Sequence, residues 1–127
     1  MIFNYNITIP ANTPQNNPVK RVLKLTYGII HFLEILSSYG CAGMVYCAIY
    51  EGEHQVFPTN PDDYFRLTGV PIQGREFYPI VNFPFELEFR GWSPGTRYEH
   101  VVTVRLWMLR PWELMPFSEY MWQARGL

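Results

Sequence analysis

Residues 2–9 of this chain, Ile-Phe-Asn-Tyr-Asn-Ile-Thr-Ile, alternate apolar and polar side chains from Phe3 onward. Phe3, Tyr5, Ile7 and Ile9 fall on one face, and Asn4, Asn6 and Thr8 on the other. That period of two is the mark of a half-buried strand. The same rhythm returns at 85–90, with Phe85, Leu87 and Phe89 facing inward. It returns again at 98–109, with Val102, Val104, Leu106 and Met108 on one face. Strand-like segments at 19–26, 29–36, 42–50, 54–57, 64–67 and 77–81 lie between, punctuated by Gly, Pro and Asn. Strands recurring about every 8–12 residues predict an all-β sandwich or barrel. The expected fold is a single antiparallel β-sandwich, jelly-roll-like. A helix over 19–36 would place Val19, Val22, Leu23, Thr26, Ile30 and Leu33 at helical spacing. Gly28 in mid-helix costs about 1 kcal/mol, and the β-branched content favours two strands.

The segment from Pro10 to Pro18 carries three prolines and three asparagines. Proline lacks the amide donor a ladder needs, so this stretch reads as an extended linker. The expected organisation is therefore a strand arm and linker at 1–18, a sandwich body at 19–109 and a tail at 110–127. In the tail, Arg110-Pro-Trp-Glu-Leu-Met-Pro116 is unsuited to a central strand. Ser118 is placed to cap a short helix running to Arg125, with Gly126 stopping it.

A length of 127 residues fits one domain. Ten basic against 11 acidic residues leave a net charge of −1. Non-specific nucleic-acid binding requires a basic field, so no nucleic-acid partner is expected. Charged residues make up 17%, below the usual ~25%, while aromatics reach 17%. A surface poor in charge and rich in aromatics suits contact with other molecules. The apolar stretch from Tyr39 to Tyr50 falls short of the ~20 residues of a membrane helix, so no membrane partner is expected. Residues 1–10 show neither the basic start nor the unbroken apolar run of a secretory signal. Cys41 and Cys47 are the only cysteines and are read as reduced thiols, with Cys47 in the core.

Catalytic patterns are sparse. His31, His54 and His100 fall on separate predicted strands or strand edges, and three imidazoles could ligate zinc only if those strands converged. No His-x-His exists, so the metal set of a cupin is missing; Gly91–Gly95 followed by His100 is faintly like a second cupin motif, but with the wrong spacing. Ser37, Ser38, Ser93 and Ser118 sit in turn or cap contexts, without a Gly-x-Ser-x-Gly elbow. Glu86 and Glu88 project together, but the alternation with Phe85, Leu87 and Phe89 assigns them to a solvated face. Glu51, Glu53, Asp62 and Asp63 lack the spacing of an EF-hand. No cofactor and no catalytic residue is expected. Trp92, placed in a turn, and Trp107, opposite its strand's core face, are read as exposed; with Tyr46 and Tyr50 they offer packing between subunits or a platform for sugar rings.

The strand arm, the proline-rich linker, the jelly-roll-like body and the missing catalytic motifs resemble the head-decorating and capsid-surface proteins of tailed phages. Gly40-Cys-Ala-Gly-Met-Val-Tyr46, His54-Gln-Val-Phe-Pro-Thr-Asn-Pro61 and Glu86-Leu-Glu-Phe-Arg-Gly-Trp92 read as signature stretches. The resemblance implies a non-enzymatic subunit of a symmetric homo-oligomer, a trimer, set against a capsid or other protein lattice. It implies location in the virion, or in the cytoplasm during assembly. The expected interface comprises Phe3, Tyr5, Ile7 and Ile9 of the arm, Trp107 of the body, and Trp112, Leu114, Met115, Phe117, Tyr120, Met121 and Trp122 of the tail. The alternatives are a carbohydrate- or ligand-binding sandwich and a cupin-like enzyme.

Overall fold

The computed structural model describes residues 1–110 together with 112 and 113. Nine strands run in the order β1 (Ile2–Ile9), β2 (Val19–Lys24), β3 (Gly28–Ser37), β4 (Val45–Glu51), β5 (His54–Phe57), β6 (Phe65–Leu67), β7 (Ile72–Ile80), β8 (Glu86–Trp92) and β9 (His100–Leu109). One sheet has the order β1-β9-β3-β7. The other has β2-β8-β4-β5, with β6 beside β5 along the far edge of β4. Every pairing is antiparallel. This interleaving of two sheets is the strand order of a jelly roll.

The alternating segments put their apolar rows between the sheets. Ile9, Ile30, Ile35, Leu106 and Met108 come from one sheet; Leu23, Ile49, Leu87 and Phe89 come from the other, all fully buried. Each such side chain stabilises by roughly 1.5–3 kcal/mol. Gly91 faces this core. A β-carbon there would stand 2.6 Å from the Ile9 methyl and 2.7 Å from the Phe89 ring, so only glycine leaves room for Ile9. Residues 19–36 form two strands and no helix. At the break, a β-carbon on Gly28 would meet the Leu109 carbonyl at 2.6 Å.

Several strand boundaries differ from expectation: β4 begins only at Val45, after positive φ at Ala42 and Gly43, and Phe85 precedes β8 rather than facing inward from it. β7 begins at Ile72 and spans nine residues. It is an edge strand, where one row of amides has no neighbour, so Pro79 does not end it. β8 runs on through Trp92, which is therefore a strand residue and not part of a turn.

The larger correction concerns residues 1–18. β1 pairs with β9 of its own chain along its whole length, from Ile2 opposite Trp107 to Ile9 opposite His100. It is a sheet strand of the body and not an arm set apart. The linker is not a free spacer either. Ser93 Oγ, fully buried, donates to the Pro10 carbonyl (3.0 Å) and accepts from the Thr13 amide (3.4 Å). The Ser93 amide donates to the Thr13 carbonyl at 2.9 Å. The Asn12 amide donates to Thr96 Oγ1 (2.9 Å), and Asn12 Oδ1 accepts from the Gly95 amide (2.8 Å). By residue type, asparagine and serine favour turns. Here they lock the β1–β2 crossover onto the β8–β9 turn.

Candidate functional site

At the end of the sandwich away from this latch, the β2–β3 and β7–β8 connections meet. Gly28 pairs with Ile80, Ile29 with Leu109, and the Leu25 amide donates to the Phe85 carbonyl at 2.9 Å. Phe85 is edge-on to Tyr27 and to Phe83, each at 5.8 Å between ring centres. Phe83 is 85% exposed, and Tyr27 and Val81 are exposed beside it. Farther along the β7 edge, Phe77 is 69% exposed. Phe85 takes φ +54°, in the left-handed region, which costs an L-residue about 1–2 kcal/mol. Its amide donates to the Asn82 carbonyl (3.0 Å), which helps hold the turn in place. Beneath, the Tyr78 hydroxyl donates to Glu51 Oε1 at 2.6 Å and ties β7 to β4 across the two sheets. Burial, and then the bond to the Glu51 carboxylate, push the Tyr78 phenol above its ordinary pKa.

The outer face of the second sheet carries a different aromatic group. Tyr46 and Trp92 sit opposite each other in register and stack at 6.3 Å. Tyr64 lies edge-on to both, at 5.3 and 5.4 Å. Trp92 is only 6% exposed, which corrects its reading as an exposed turn residue. Next to it, the Arg90 guanidinium lies 4.0 Å above the Tyr50 ring and bonds Glu88 at 2.6 Å. Glu88 is thus a surface ion-pair partner, and Glu86 lines a small hollow beside Phe83.

On the first sheet, Trp107 does lie opposite the core face. It is edge-on to Phe32 at 5.2 Å, in a shallow groove of about 570 Å³ with His31, Arg75 and Glu76. Phe3, Tyr5, Ile7 and Ile9 do share one face, as the alternation predicts, but that face turns onto the chain's own core. The Tyr5 hydroxyl donates to the Lys24 carbonyl, joining β1 to β2. Their reading as contacts to a neighbour is corrected accordingly. Trp112 is 60% exposed, with the Arg110 guanidinium 5.3 Å from its ring centre. Leu114, Met115, Phe117, Tyr120, Met121, Trp122 and the expected helix at 118–125 lie outside the described residues. Sequence reasoning missed Phe83, Phe77, Val81 and Tyr27. The available signal was Phe83-Pro-Phe85, two aromatics in a proline turn with no strand to bury both.

Among the described residues, no three His, Cys, Asp or Glu side chains gather as metal ligands. His31, His54 and His100 lie on β3, β5 and β9. Cys41 and Cys47 are free and buried. Burial raises the Cys47 thiol pKa, and Cys41 Sγ donates to the Leu67 carbonyl at 3.1 Å. Among the described residues, no helix is long and apolar enough to cross a membrane.

No family model and no curated protein matches the sequence. Solved structures align with this chain at low similarity. FeII HppE aligns at 7% identity and a TM-score of 0.42, over 84% of this chain and 43% of that one. The chain thus spans less than half of that protein. PliG of Aeromonas hydrophila, a periplasmic inhibitor of g-type lysozyme, aligns at 5% identity and 0.44, covering 84% and 87%. A chain of tomato aspermy virus aligns at 8% identity and 0.44, covering 87% and 79%.

Proposed function

We propose that this chain is a non-enzymatic structural protein that works by packing against further copies of itself, as a trimeric subunit at a virion surface. The observation that carries the reading is the aromatic end. Phe83 at 85% exposure, with Tyr27, Val81 and the strained Phe85 around it, presents apolar surface that a lone molecule leaves in water. Contiguous apolar surface of this kind marks sites of association. Backbone strain held at the same spot is a further feature of functional segments. A second copy is the fitting occupant because the net charge of −1 gives copies little reason to repel. Trp107, Trp112 and the tail residues from Leu114 to Trp122 belong to the proposed contact as well. The virion setting rests on the resemblance in organisation.

Sedimentation analysis of the full chain over a range of concentrations tests this. A trimer is expected, dissociating to monomer when Phe77 and Phe83 are both replaced by serine while the far-ultraviolet spectrum is unchanged. A parallel truncation after Arg110 reports on the tail. A full chain that stays monomeric at every concentration overturns the reading.

A further inference from the structure

A cleft of about 440 Å³ opens on the outer face of the second sheet and reaches the β4–β5 turn, whose Glu51 and Gly52 line the hollow beside Phe83. That volume lies within the range of small-molecule sites. Trp92, Tyr64 and Tyr50 line it on the aromatic side; Gln15, Glu53 and Asp62 are among the polar groups around it. We propose that this cleft binds a neutral glycan, seating a pyranose ring against Tyr64 with its hydroxyls held by the surrounding carboxylate and amide groups. Its lining residues differ from those of the assembly contact.

The cleft is built before any ligand arrives. The loop from Pro58 to Asp63 runs between β5 and β6, and the Gln55 side-chain amide holds it from inside. Its nitrogen lies 2.8 Å from the Pro58 carbonyl, 3.0 Å from that of Asn60 and 3.0 Å from that of Asp63. Asp63 completes the loop, accepting from Asn60 Nδ2 (3.0 Å) and from the Tyr64 amide (2.9 Å). Tyr64 is thereby positioned at the end of a fixed loop, edge-on to Trp92 and Tyr46. It remains 40% exposed, whereas Trp92 is covered. A site assembled in this way does not have to order itself on binding, which preserves affinity.

The chemistry favours an uncharged, hydroxyl-rich ligand over a cation. Aromatic rings with carboxylates also suit ammonium groups. Here, however, Arg90 already occupies the face of Tyr50, and its charge also acts on Glu53. Both oxygens of Asp63 already accept bonds within the loop. What remains is an exposed ring beside well-placed donors and acceptors, chiefly Asp62, Gln15 and His54. Rings with polar edges and apolar faces fit such a surface, because hydroxyls can both donate to carboxylates and accept from amides.

The test is a nuclear magnetic resonance titration of the full chain with cellobiose, xylobiose, mannobiose, lactose and chitobiose, and with tetramethylammonium chloride. Each probe is added to about 10 mM, above the millimolar range where a weak site saturates. At least one disaccharide is expected to shift the amides of Tyr64, Gln55 and Trp92. Tyr64→Ala should weaken that binding about tenfold, as loss of one stacking ring would. Asp62→Asn, on the exposed loop, serves as a second variant and should weaken it several-fold; thermal melts confirm that both are folded. No shift with any sugar overturns the proposal. So does a response to tetramethylammonium alone, or sugar binding unaffected by both substitutions.

Discussion

The two ends of this sandwich solve the same problem, joining strands of opposite sheets, with opposite chemistry. At one end, Asn12, Thr13, Ser93 and Thr96 interlock through hydrogen bonds. Positive φ there falls on Asn12 and Gly95, residue types that adopt it at little cost. At the other end, positive φ falls on Phe85, which adopts it at a cost, and large apolar side chains stand in water. The first end closes the molecule on itself. The second leaves surface unsatisfied, and that difference is the reason the aromatic end is taken as the contact surface.

The largest expected effect comes from removing residues 1–18. Ile7 and Ile9 would leave the core, a space would open at Gly91, and Ser93 would lose its partners. Truncating one such side chain costs about 2–5 kcal/mol, against a total stability of about 5–15 kcal/mol. The shortened chain should lose the dispersed amide spectrum of a folded protein. A well-dispersed spectrum would show that the latched end is dispensable.

Ser93→Ala should cost about 1–3 kcal/mol, because it takes the side-chain acceptor from the buried Thr13 amide, while the Pro10 carbonyl keeps its bond from Thr13 Oγ1. Urea unfolding at neutral pH measures this, and a change below about 0.5 kcal/mol would reduce the latch to ordinary surface contact.

The aromatic end has its own tie, which pH should release. The Tyr78 phenol is raised above the value near 10 that it has when unfolded. Above that pH the unfolded chain has released the proton while the folded chain still holds it. Stability is therefore complete below about pH 10 and falls as pH rises beyond it. Tyr5, raised first by burial and opposed by Arg21, adds to the same slope. Thermal midpoints between about pH 8 and 11 should decline at the alkaline end, and Tyr78→Phe should flatten the decline while costing about 1 kcal/mol at neutral pH. An unchanged slope in that variant would remove Tyr78 as its source.

Phe83→Ser should have the smallest effect on folding, within about 0.5 kcal/mol, since the ring is already in water. A large loss of stability in chemical unfolding would mean that the ring supports the fold and is not held out for a partner.

Strand identity and inward faces were legible from residue order because both depend on neighbours in the chain. Alternation at 2–9, 86–92 and 100–109 follows from a period of two that any extended segment obeys. What residue order left open was which segments meet. Asn12 reaches Gly95 across 83 positions, and Thr13 reaches Ser93 across 80. Gln15, Tyr50, Asp62 and Trp92 converge on one cleft from four separate parts of the chain. Local pattern carries no record of such distances, so the linker looked free, the first strand looked like an arm and Trp92 looked exposed. Sheet order and register decided those three, because an edge strand's partner and a turn's neighbour are chosen by packing of the whole sandwich.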